Sequence, residues 1–111
     1  LKKKLSWQTI EMMGYAYYVK QGYKVLTKII DSSIYDLVIE KDLAFQSVNV
    51  KTGFWLRGAW QFSNSKVRPK KQMADIYLVW LDKENRFVEV FKHQLKSSKS
   101  KTIMVPKECL K

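Results

Sequence analysis

Apolar and polar positions change rhythm several times along this chain, and each change marks an element. Trp7, Ile10, Met13 (or Gly14) and Tyr17 recur at helical spacing. With Ser6 placed to cap and Gly22 to stop, they predict a helix over 5–21. From Tyr23 the rhythm shortens. Strands are expected over 23–30 and 34–40, with Asp31-Ser32-Ser33 turning the chain between them. On the second, Ile34, Asp36, Val38 and Glu40 share one face, and Tyr35, Leu37 and Ile39 the other. A short Lys41-Asp42 turn leads into a third strand over 43–51. The aromatic stretch 53–62, with turns expected at Gly53 and Gly58, reads as a hairpin or a loop.

Residues 63–72 discourage regular structure, with Asn64, Ser65 and Pro69 among them. Residues 75–81 are almost wholly apolar after Asp75 and predict a buried central strand. A turn over 82–85 leads to a strand over 86–91. After a basic, Ser-rich connection (92–101), an edge strand over 102–105 is stopped by Pro106. A helix followed by a mixed sheet makes an α/β (mixed α+β) domain, and 111 residues suffice for one such domain, 1–111.

Charge adds a partner to this picture. Lys and Arg number 21 against 10 Asp and Glu, a net +11. Residues 1–65 hold nine basic and five acidic groups, net +4, and residues 66–111 hold twelve and five, net +7. Such a field draws in polyanions, nucleic acid first and an anionic membrane surface second. Lys66, Arg68, Lys70 and Lys71, together with Arg57, are the candidate nucleic-acid contacts. A solvated loop is the ordinary alternative for the 66–71 run. Trp55 and Trp60 belong to the core, stack on a base or pack between subunits.

Other chemistry is thin. One cysteine, Cys109, forms no internal disulfide, and no Cys/His cluster offers a zinc site. His93 is the only histidine, in a polar segment. No apolar run approaches the roughly 20 residues that span a bilayer, and no signal peptide is visible. The first residue is Leu, which leaves room for a missing N-terminal piece. The expected setting is cytoplasmic and reducing, associated with the nucleoid and not with a membrane.

The most telling stretch is Tyr-Asp-Leu-Val-Ile-Glu at 35–40 followed by Val-Asn-Val-Lys at 48–51. Asp36 precedes Asn49 by thirteen residues, and alternation sends Asn49 and Lys51 to one side of their strand. An acid on one strand facing a polar-x-Lys pair on the next can hold a divalent cation with oxygen ligands and set a lysine beside a phosphate. Glu11 lies at the edge of the apolar helix face, beside Trp7, Gly14 and Tyr18. Turned inward, it needs a basic partner or a metal; otherwise it is a solvated flank residue.

The order of these pieces is similar to that of the PD-(D/E)XK nuclease superfamily, over about residues 5–92. Gly22-Tyr23 after the helix, the 35–40 segment and Val-Asn-Val-Lys-Thr at 48–52 carry the resemblance. The spacings Glu11 to Gly22 and Asp36 to Asn49 look like those of archaeal Holliday junction resolvases. The later part, through Ala74-Asp75-Ile-Tyr-Leu-Val, looks like a branch of small homing and restriction-type endonucleases. The resemblance implies a restriction-endonuclease-like core, a central mixed sheet flanked by helices. It implies a Mg²⁺-dependent DNA endonuclease, with Mn²⁺ as a substitute, acting on duplex DNA as a homodimer or larger symmetric assembly.

Residue by residue, the resemblance makes Asp36 the acid that ligates Mg²⁺, with Asn49 and the main-chain carbonyl near Val50 beside it. Lys51 orients the attacking water or neutralises charge on the phosphate. Glu11 matches the helix acid that completes the metal's outer shell. Position 49 is the departure: the family has Asp, Glu or often Gln there, and this chain has Asn. A carboxamide ligates without charge and more weakly. A nuclease-fold protein that binds nucleic acid without cutting is therefore the alternative. Glu40 is a further candidate ligand or a surface acid.

Overall fold

Ser6 begins the first element in the way its hydroxyl allows: it accepts the Thr9 N–H at 3.2 Å, satisfying a donor that the helix cannot. The computed structural model describes residues 4–27, 35–64, 73–95 and 101–111. Helix α1 runs over Trp7–Lys20 and buries Ile10, Gly14 and Tyr18. Gly22, at φ 88°, lets the chain leave in a left-handed conformation. None of the described helices is long and apolar enough to cross a membrane.

Seven strands follow: β1 (Lys24–Thr27), β2 (Leu37–Lys41), β3 (Ala44–Leu56), β4 (Ala59–Ser63), β5 (Ile76–Leu81), β6 (Arg86–Phe91) and β7 (Thr102–Met104). The order β1-β2-β3-β5-β6 forms one sheet, mixed because β3 and β5 run parallel while the other neighbours are antiparallel. The last residues of β3 pair with β4, and β4 with β7, so β3 passes from one ladder to the other.

Besides shifts of one or two residues at other element ends, three boundaries differ from the linear pattern for reasons the fold makes plain. The β2–β3 turn is Asp42-Leu43, both at positive φ (52° and 66°), with Lys41 opposite Ala44. That is the two-residue turn whose twist matches the flanking strands. Strand β3 does not stop at Lys51 but continues to Leu56, and Gly53 lies inside it. No turn is needed there: a Cβ on Gly53 would lie 2.9 Å from Val79 Cγ1 and 3.0 Å from the Trp80 carbonyl, so glycine permits close strand packing. The turn falls instead at Arg57-Gly58, and the aromatic stretch forms a hairpin. Finally, β2 begins its ladder at Leu37, leaving Tyr35 and Asp36 at its entrance.

Alternation along β5 builds the core on both sides of the sheet. Ile76 and Leu78 pack with Tyr18, Leu37, Ile39 and Val48 under α1. Tyr77, Val79 and Leu81 pack with Trp60, Phe62, Val88, Val90 and Ile103 on the other side, where β4 and β7 cover them. Every residue of β5 is buried, as its apolar run predicts. Asp75 secures its start. The carboxylate accepts the Ser47 N–H at 2.8 Å, and Ser47 Oγ accepts the Asp75 N–H at 3.0 Å. This reciprocal pair sets the register of the parallel strands. On the helix side, the Tyr18 hydroxyl donates to Glu89 at 2.9 Å and ties α1 to β6.

Candidate active site

The Asp42-Leu43 turn fixes the β2–β3 register, and that register determines what meets at its far end. Leu37 faces Val48, so Val50 falls opposite Tyr35, beyond the last paired residue of β2. There the Asp36 side chain takes over the ladder. Its main-chain N–H donates to the Val48 carbonyl at 2.8 Å, and its carboxylate Oδ2 accepts the Val50 N–H at 2.7 Å. A charged acceptor on a main-chain donor makes a short, strong bond. It holds the carboxylate against the middle of the Asn49-Val50-Lys51 segment.

Val48 and Val50 turn toward α1: Val48 packs with Tyr18, and a Cβ on Gly14 would sit 3.1 Å from Val50 Cγ2. By alternation Asn49 and Lys51 occupy the other side of β3, opposite Tyr77 and Val79 of β5. Asn49 is buried, with 7% of its surface exposed, and Lys51 is half-buried. A buried carboxamide is uncommon and calls for hydrogen-bond partners. None of Glu11, Asp36, Asn49 and Lys51 stands without a partner in the fold.

Glu11 is half-buried on α1. It lines a cavity of about 390 Å³ together with Asp36, with Met12, Tyr15, Thr27 and Leu37 as its apolar and neutral walls. The two acids predicted for one site therefore share one cavity. Asn49 and Lys51 are not among its described lining; the Asp36–Val50 hydrogen bond links Asp36 to the strand segment that carries them. Glu40 does not join: it lies four residues down β2 from Asp36, roughly 13 Å along the strand, paired with Lys24 and Phe45.

Among the described residues no three His, Cys, Asp or Glu come together as a metal cluster. The two acids in this cavity offer carboxylate oxygens, and the β3 segment bonded to Asp36 adds main-chain carbonyls and the Asn49 carboxamide as candidate donors. Hard oxygen donors with two formal charges fit a cation of the Mg²⁺ or Mn²⁺ kind and not a thiolate- or imidazole-seeking metal.

Of the candidate nucleic-acid contacts, Arg57 occupies the exposed tip of the β3–β4 hairpin at φ 53°. Lys66, Arg68, Lys70 and Lys71 lie outside the described residues. Two features had little linear signal. Asp75 reads as a loop acid before an apolar strand, and only the fold reveals its pairing with Ser47. The second is the way Trp80, Phe54 and Trp55 converge on a further cavity, at the carboxyl ends of β3 and β5.

The architecture is shared with known proteins. A bacterial homing endonuclease, I-Ssp6803I, superposes with a TM-score of 0.71 at 20% identity, covering 93% of this chain and 74% of that one. At that identity the likeness speaks for the fold, which is restriction-endonuclease-like. No curated protein sequence matches. The sequence model of the PD-(D/E)XK endonucleases matches residues 2–106, nearly the whole chain. This chain belongs to the PD-(D/E)XK endonuclease family.

Proposed function

We propose that the chain is a divalent-metal-dependent DNA endonuclease hydrolysing phosphodiester bonds, with Asp36, Asn49, Lys51 and Glu11 as its working groups. The observation that carries this reading is the Asp36 carboxylate bound to the Val50 N–H, between Asn49 and Lys51, while sharing a cavity with Glu11. Asp36, Asn49, a carbonyl near Val50 and Glu11 would hold Mg²⁺. When bound, the cation supplies Lewis-acid polarisation of the phosphate and lowers the pKa of water. The Lys51 ammonium neutralises charge that develops on the phosphate oxygens. Glu11 orients the attacking water and accepts its proton. Water oxygen bonds to phosphorus, one P–O ester bond breaks, and the departing oxygen takes a proton from solvent. Fixed charges aimed at the reacting phosphate lower the barrier without reorganising.

DNA as substrate agrees with the +11 charge, and on this reading the protein would work at the nucleoid inside the cell. Cutting both strands calls for two copies of the site, hence a homodimer or larger symmetric assembly. A plasmid-nicking assay with Mg²⁺, Mn²⁺ or EDTA tests the reading. Nicking should need the metal, and Lys51→Ala should abolish it while duplex binding persists. Wild-type cutting by Lys51→Ala, or cutting that ignores EDTA, would overturn it.

The uncharged Asn49 favours one alternative, a member of the family that binds DNA without cutting it. On that reading the wild type is inactive with either metal, and Asn49→Glu, which restores a carboxylate, gains activity.

A further inference from the structure

A second cavity, of about 450 Å³, lies at the carboxyl ends of the parallel pair β3 and β5. Its size is within the ~300–1,000 Å³ of small-ligand sites. Crevices at the carboxyl ends of parallel strands are where open sheets with helices receive ligands. Three aromatic residues contribute to its wall: Phe54 and Trp55 from β3, and Trp80 from β5. Trp55 is half exposed (49%), yet its ring is fixed from behind. It meets Trp60 edge-on, with ring centroids 5.6 Å apart and planes at 76°. Trp60 is itself buried and donates its Nε1–H to Glu84 at 3.0 Å. A large, half-open aromatic ring on a rigid support is a stacking surface formed before any ligand arrives.

The remaining lining carries charge. Lys4 and Lys83 are both exposed at this cavity, against one acid, Asp82. The Asp82 carboxylate accepts the Lys83 N–H at 2.9 Å and so caps its own turn. An aromatic wall with a net cationic rim suits a planar base joined to a phosphate. In a paired helix both faces of a base are covered by its neighbours, so the ring that could lie on Trp55 belongs to an unpaired nucleotide. Two of its wall residues are sequence neighbours of candidate site residues. Thr52 in its wall follows Lys51 along β3, and Ile10 precedes Glu11 along α1.

We infer that this cavity binds one unpaired nucleotide of the DNA strand that passes the Glu11–Asp36 corner, its base stacked on Trp55 and its phosphate neutralised by Lys4 and Lys83. The choice of DNA as the polymer rests on the nuclease reading above; the preference for an unpaired base rests on the cavity.

Fluorescence anisotropy in EDTA, where no metal-dependent cutting occurs, tests it with three labelled DNAs. One is a fully paired duplex, the second carries one extra unpaired nucleotide, and the third carries an abasic residue at that place. The wild type should bind the unpaired base about tenfold more tightly than the other two. Trp55→Ala should bring that ratio close to one with little change for the paired duplex, and Trp55→Phe should keep most of it. Lys83→Ala, in an exposed turn, should weaken the unpaired-base complex most. Near-ultraviolet circular dichroism checks the fold, and if Trp55→Ala fails to fold, the wild type and Trp55→Phe decide. Equal binding of all three DNAs, abasic DNA bound as tightly as the unpaired base, or a ratio unchanged in Trp55→Ala would overturn the inference. Should the ratio be absent while metal-dependent nicking persists, only this inference falls. Absence of any DNA binding would remove the nuclease reading as well.

Discussion

Asp36 serves the fold and, on the proposed reading, the chemistry, and the two can be separated by substitution. Its carboxylate closes the ladder on the Val50 N–H, and hydrogen bonds to charged groups are worth about 1.5–3 kcal/mol. Asp36→Ala should therefore lower stability by about 1–2 kcal/mol, since the site is only partly buried and water can answer the freed N–H. Asp36→Asn keeps an acceptor oxygen and should cost less. Both should abolish nicking, so urea denaturation and the nicking assay together distinguish the roles. Tyr18 is a second residue with a measurable signature. Burial first, then the Glu89 charge and its hydrogen bond, push its hydroxyl far above the usual tyrosine range. A folded-state pKa above the unfolded value of about 10 means stability is complete below that pH and declines as pH rises beyond it. Tyr18→Phe should cost about 1.5–3 kcal/mol near neutrality and lose less on going from pH 9 to about 11 than the wild type does. Denaturant titrations at both pH values read this directly.

At the scale of elements, the two β3 hairpins make opposite predictions. Leu43 holds φ 66° while 84% exposed, so its side chain gains almost nothing from burial and its backbone is strained. Leu43→Gly would give the Asp-Gly pair that this turn favours and should stabilise by about 1 kcal/mol. Gly53→Ala should destabilise by about 1–3 kcal/mol, because its methyl group meets both Val79 and the Trp80 main chain. Thermal midpoints test both. These positions also show how far the linear pattern reaches. Ser6, Gly22 and the apolar run of β5 act through neighbours in sequence, and their elements lie where periodicity predicts. Gly53 looks like any turn glycine until β5 is known to press against it, and Asp36 looks like a strand residue until β2 is seen to begin one position later. The order of the segments around them put Glu11 and Asp36 near one another, and they do line one cavity. The second cavity was not legible in the sequence, because its wall joins residues of β3, β5 and the start of α1 that only the fold brings near one another.

For the molecule as a whole, charge is the controlling variable. With a net +11, affinity for duplex DNA should fall steeply with salt, the log–log slope being about −0.9 per phosphate neutralised. Replacing Lys70 and Lys71 together by Ala should flatten that slope by about 2 and weaken binding equally for all sequences. A change in cutting position would instead assign them to sequence readout. Strand β3 has the widest reach of all: β2, β5 and β4 hydrogen-bond to it in turn along its thirteen residues. Its central amides can exchange with deuterium only when most of the sheet opens, so they should be among the slowest in the protein. Asn49 and Lys51 thus ride on the stiffest backbone available, whereas Asp36 and Glu11 approach from the margins. Any adjustment to an incoming phosphate would then come from the strand entrance and the helix, with the lysine as the stationary reference.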